Sequence, residues 1–160
     1  MKTSAEAIEN LKDLVHINND RIKGYERAIK ELKKDDGDLK TLFAVFIDQS
    51  RQNIMALGKE VQALGSDLDR NTTLSGKIYR AWMDVKVAFS GSDVQAALES
   101  CEYGEDNALK TYKKALEEDA NWPAETMNLI SNQRQSLKVS HDRIKRYRDE
   151  HAAKSSTVSR

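Results

Sequence analysis

The chemistry open to this 160-residue chain rests on few side chains: three histidines, one cysteine and acidic residues at helical spacing. Glu102 and Glu105 stand three residues apart, which places both carboxylates on one face of a helix. With His141 from a neighbouring helix they would offer two oxygens and an imidazole, a reduced set able to hold one zinc ion. The plainer alternative is that Glu105 and His141 hydrogen-bond each other or cap a polar layer. His16 and Asp20, one turn apart, could chelate, although such pairs are ordinarily surface contacts. His151 falls at a fraying helix end and is expected in solvent. Cys101 lies on an apolar face with no histidine near it in sequence, so it reads as a buried, inert thiol. Gly65, Gly76, Gly91 and Gly104 are isolated, which leaves no Gly-rich phosphate loop. No catalytic constellation is assembled, and no resident metal or other cofactor is expected.

A second pattern is a polar seam. Asn18, Ser50, Asn53, Glu105, Gln133 and Ser140 fall in rows where Leu or Ile would be expected. Each buried polar group left without a partner costs about 1–3 kcal/mol. The seam is therefore either a structural hydrogen-bond network that fixes helix register or the lining of a small-ligand or metal pocket. A hydrated cavity between Asn18, Glu105 and Gln133 would mark the pocket, and a sealed layer the network. In a network, Glu105→Gln should leave folding intact.

These residues sit on amphipathic helices. The first opens with a capping box, Thr3 and Glu6, and its stripe runs through Ile8, Leu11, Val15, Ile22, Ala28 or Ile29, and Leu32. Asp35-Asp36-Gly37-Asp38 makes a turn. The second helix carries Leu39, Leu42, Phe43, Phe46, Ile54, Leu57, Val61 and Leu64, and Gly65 ends it. The third starts at Ser92 with Gln95 completing another capping box, and Pro123 is a good first residue for the fourth. Helices are expected at about 4–34, 39–64, 93–119 and 123–151, in one domain of about 1–151 with a flexible tail over 152–160. The stretch 66–91 is too long for an ordinary loop. Ile78, Trp82, Val85 and Phe89 within it predict a crossover helix at about 77–89, docked on the bundle or presented to a partner. Such a crossover would let helices two and three run parallel.

The chain also resembles itself. Ile22-Lys23-Gly24-Tyr25-Glu26-Arg27-Ala28-Ile29-Lys30-Glu31 aligns with Leu109-Lys110-Thr111-Tyr112-Lys113-Lys114-Ala115-Leu116-Glu117-Glu118, and Asn18-Asn19-Asp20 falls on Glu105-Asp106-Asn107 at the same offset. Such an internal repeat predicts two related helical hairpins and an all-α bundle. Charge is balanced, 26 basic against 26 acidic residues, so nothing points to nucleic acid or an anionic membrane. The acidic N-terminal stretch reads as no signal peptide, no apolar run reaches the roughly 20 residues of a membrane span, and a cytoplasmic location follows.

Two long hairpins with one long crossover look like the ferritin-like fold. Ile17-Asn18-Asn19-Asp20-Arg21-Ile22-Lys23-Gly24-Tyr25-Glu26, Gln49-Ser50-Arg51, Arg80-Ala81-Trp82-Met83-Asp84, Cys101-Glu102-Tyr103-Gly104-Glu105-Asp106 and His141-Asp142-Arg143-Ile144 together resemble a bacterial family of ferritin-like four-helix bundles whose domain has no assigned function. The resemblance implies the fold, and a stress-related role would suit such relatives. Ferritin-like oxidases need a Glu from each of two helices and a Glu-x-x-His from each of the other two. Here the second helix reads Gln49-Ser50-Arg51-Gln52 at its centre and has no histidine, Lys138 stands three residues before His141, and the repeat partner of Glu105 is Asn18. That donor set does not build a di-iron site. The leading expectation is a non-enzymatic structural or interaction protein with a homo-oligomeric partner, a dimer in the simplest case, or an unidentified protein partner. The alternatives are a metalloprotein or oxidase with a non-standard site at Glu102, Glu105 and His141, and a small-ligand binder using the seam.

Overall fold

A computed structural model describes residues 4–32, 36–65, 94–118 and 122–158 of the chain. They form four helices: α1 (Ser4–Glu31), α2 (Gly37–Ala63), α3 (Val94–Glu118) and α4 (Ala124–Val158). The expected crossover helix with Trp82, and the capping residues Thr3 and Ser92, lie outside the described residues.

Local chemistry sets several of the ends. At the close of α2, the Leu64 N–H reaches back to Glu60 and Val61, and Gly65 takes a φ of +84°, a left-handed conformation that costs glycine nothing. Pro123 sits one position earlier than expected: its carbonyl accepts the Met127 N–H at 2.9 Å, so it caps α4 rather than opening it. Trp122 is buried and donates its indole N–H to the Ala115 carbonyl, fastening the start of α4 to the last turns of α3.

The expected tail is a correction. Helix α4 continues to Val158, past the predicted end at 151. Ala152, Ala153 and Lys154 are strong helix formers. His151 is half-buried rather than free in solvent, with Nδ1 2.8 Å from Gln95 Oε1 in the first turn of α3.

Helix α1 packs beside α2 and α3, and α4 beside α3 and α2, which closes a square. Cross-helix bonds fix the directions. Asn18 and Arg21 of α1 meet Asn53 and Ser50 of α2, and Tyr112 and Glu105 of α3, each in descending order. Both pairs are therefore antiparallel, and α2 and α3 run parallel across the diagonal. This is an all-α, ferritin-like four-helix bundle. Its apolar core is in two parts. Tyr25, Leu42, Phe43, Phe46, Leu98, Cys101 and Ile144 fill the end near the α1–α2 turn. Leu11, Leu14, Leu57, Val61, Ile130 and Leu137 fill the other. Burying each such side chain contributes about 1.5–3 kcal/mol. Between the two parts lies a polar belt.

Candidate functional site

All six seam residues are buried, and five of them, all but Ser140, form two adjoining layers at mid-bundle. The first is a ring through every helix. Asn53 Nδ2 donates to Asn18 Oδ1 at 3.1 Å, and Asn18 Nδ2 donates to the Tyr112 hydroxyl at 2.8 Å. The Tyr112 hydroxyl donates to Gln133 Oε1 at 2.7 Å, and Gln133 Nε2 returns to the Asn53 carbonyl at 3.4 Å. Asn18 Nδ2 also bonds the Leu14 carbonyl at 2.8 Å, which fixes the orientation of its amide. Burial pushes the Tyr112 phenol up, so it stays a neutral donor.

The second layer centres on Arg21, which the sequence did not mark as buried. Its side chain and that of Glu105 are both 0% exposed, with Nε 2.5 Å from Oε1 and Nη2 3.3 Å from Oε2. Nη1 donates to Ser50 Oγ at 2.9 Å and to the Phe46 carbonyl at 3.1 Å. The guanidinium also lies over the Tyr25 and Phe46 rings, 5.5 and 5.2 Å from their centroids. Burial pulls the Arg21 pKa down most strongly, but the charge and hydrogen bond of Glu105, together with Tyr25 and Tyr112, hold it above the ordinary value. Burial, with the Glu105 charge second, pushes the thiol of Cys101 well up and leaves it un-ionised.

Glu105 is therefore not a partner of His141, and the alternative metal set of Glu102, Glu105 and His141 is not brought together. Glu105 faces inward to Arg21, whereas His141 faces Glu102 and Asp106 on the flank of α3, with Nε2 2.7 Å from Asp106 Oδ1 and 3.9 Å from Glu102 Oε1. The 60° of helix rotation between Glu102 and Glu105 decides this, since only the former lies toward α4. Ser140 is buried at the α2–α4 seam, with Oγ 3.2 Å from Gln49 Oε1. His16 and Asp20 gather no third ligand among the described residues. Burial lowers the pKa of His16.

Asp20, read from the sequence as half of a surface pair with His16, is instead buried. It is 3% exposed, and its Oδ2 meets no hydrogen-bond donor among the described residues. Burial raises its pKa to about 6 against the opposing pull of Lys23. Outside the belt, a shallow groove of about 350 Å³ runs between α2 and α4, lined by Gln52, Met55, Ala56, Lys59, Glu60 and Leu129. Val45, Met55, Tyr103 and Val139 are large apolar side chains left exposed. No helix among the described residues is long and apolar enough to cross a membrane.

Comparison with known proteins gives the same fold. A family model described as "Domain of unknown function (DUF2383)" matches residues 6–118. Among solved structures, the bundle is similar to a mutant of Dps1 from Mycobacterium smegmatis, with a TM-score of 0.76 at 9% identity over 92% of this chain and 99% of that one. At that identity the likeness is one of fold alone. No curated protein matches the chain by sequence.

Proposed function

The chain belongs to this DUF2383 family, and we propose that it is a non-enzymatic member of the ferritin-like class, a structural or protein-interaction module of the cytoplasm. The observation that carries the reading is the Arg21–Glu105 pair. A permanent cation, shielded from solvent and bonded on three sides, fills the middle of the bundle. Iron at that place would meet a guanidinium instead of a carboxylate cluster, and the repulsion is large where water cannot screen it. The one carboxylate available there is already neutralised.

The ring of Asn18, Asn53, Tyr112 and Gln133 supports the same reading over that of a small-ligand pocket. Its amides and hydroxyl are engaged by one another and by backbone carbonyls, so a ligand would have to break bonds already made. Interaction is the remaining outlet. The exposed Val45, Met55, Tyr103 and Val139 give the outer faces of α2, α3 and α4 apolar points of contact, through which the chain self-associates or docks on a protein partner.

The test is iron chemistry on untagged protein purified without chelator. The expected result is no oxidation of added ferrous iron above buffer and no iron held in the interior. Stoichiometric iron held by the native chain, and kept in His141→Ala, would overturn the proposal.

A further inference from the structure

The geometry points to a divalent transition-metal site on the flank of the bundle, formed by Glu102 and Asp106 of α3 and His141 of α4, separate from the buried belt. One ligand atom from each of the three lies within 4.8 Å of the other two. Glu102 and Asp106 stand one turn apart on α3, so their carboxylates project side by side. His141 comes from the antiparallel neighbour and meets both. An ion bonded at 2.0–2.2 Å to three ligands needs those atoms roughly 3.3 Å apart, which small side-chain rotations supply here.

The supporting contacts have the form found around metal-bound histidine. His141 Nδ1 is 3.0 Å from Asp142 Oδ1, a carboxylate that fixes the ring and turns Nε2 toward Glu102 and Asp106. Lys138 Nζ binds the same Asp142 oxygen at 3.0 Å and holds that carboxylate in place. Arg148 Nη1 engages Glu102 Oε2, leaving Oε1 as the oxygen directed at His141. Arg148 is thus a positioning residue, and its charge weakens the site rather than closing it. Glu102 and His141 are each 9% exposed, while the Asp106 side chain is 47% exposed and marks the side from which an ion and its remaining water ligands enter.

One imidazole nitrogen with two carboxylate oxygens selects zinc, or manganese as a weaker occupant, over magnesium and calcium, which prefer all-oxygen shells. This differs in place and in chemistry from a di-iron centre. It holds a single ion, at the edge of the bundle, in a set that leaves Arg21 and Glu105 undisturbed.

The test is titration of the chelator-stripped full chain with zinc by calorimetry, followed by cobalt as a visible-spectrum probe. The expected result is one zinc per chain and a cobalt d–d spectrum of low coordination number. Affinity should fall roughly tenfold or more in His141→Ala and in Asp106→Asn, and remain unchanged in His16→Ala. Asp106 is half-exposed, so its variant keeps the fold and makes the result interpretable even where His141→Ala does not. No zinc binding by the native chain, or binding that survives both substitutions, would overturn the assignment. Ferrous-iron oxidation does not enter this test, so the two proposals stand or fall separately.

Discussion

Arg21 on α1 and Glu105 on α3 neutralise each other across the centre of the bundle, with both side chains wholly out of water. A buried ion pair is worth little compared with a well-packed apolar pair, yet losing one partner strands the other charge. Glu105→Gln should therefore destabilise the protein by about 3–5 kcal/mol, the reverse of the tolerance expected when Glu105 is read as an ordinary seam residue. The double replacement Arg21→Met with Glu105→Leu should recover most of that loss. Urea denaturation of the three variants checks both statements, and equal losses for single and double variants would contradict them.

Tyr112→Phe removes one hydroxyl that both accepts from Asn18 and donates to Gln133. Asn18 keeps its bond to the Leu14 carbonyl, but Gln133 Oε1 loses its donor. The expected cost is about 1–3 kcal/mol, with little change in helix content. Circular dichroism and chemical denaturation measure the two effects separately.

Asp20 gives the fold a pH dependence of defined sign. Its folded pKa, about 6, lies above the ordinary value of 3.8. The raised group contributes stability that is fully present below the unfolded pKa and is lost as pH rises through the folded one. Asp20→Asn should thus be nearly neutral at pH 4 and stabilising by about 2–3 kcal/mol at pH 7.5. A gain independent of pH would show that desolvation of the carboxylate is not its cause.

Cys101 is fully buried, and burial raises its thiol pKa. The native protein should not react with a disulfide reagent over minutes at pH 8, whereas the unfolded chain should release one equivalent at once. Fast native labelling would mean that the end of the core around Tyr25 and Phe43 opens readily.

The bundle and its seam were legible because apolar periodicity marks which face of a helix is covered. Asn18, Ser50, Asn53, Glu105, Gln133 and Ser140 interrupt that face, and all are buried. Arg21 escaped because arginine is nearly always exposed. The signal was still there, since Leu14, Tyr25 and Ala28 stand seven before, four after and seven after it, all fully buried. The partners of Glu105 and His141 were not legible. They depend on how far each helix is rotated about its axis, and one residue step, 100°, exchanges an inward neighbour for a flanking one. The length of α4 was missed for another reason: serine and lysine after His151 read as a tail, while the tie from His151 to Gln95 is tertiary.

The ring through the four helices has a sense of circulation. Asn53 gives to Asn18, Asn18 to Tyr112, Tyr112 to Gln133, and Gln133 back to Asn53, so every donor points the same way round. The last of these ends on the main-chain carbonyl of Asn53, so the loop closes through backbone rather than through an unbroken run of side-chain bonds, and its longest member is its weakest. That member, at 3.4 Å, crosses from α4 to α2, the least intimate of the four helix interfaces. The opposite interface, α1 with α3, carries the Asn18–Tyr112 bond and the ion pair. The molecule is therefore built like a book, with its spine along α1 and α3 and its free edge along α2 and α4. Local opening is expected to begin at that edge, with amide exchange faster in α2 and α4 than in the spine, and equal protection in all four helices would contradict it.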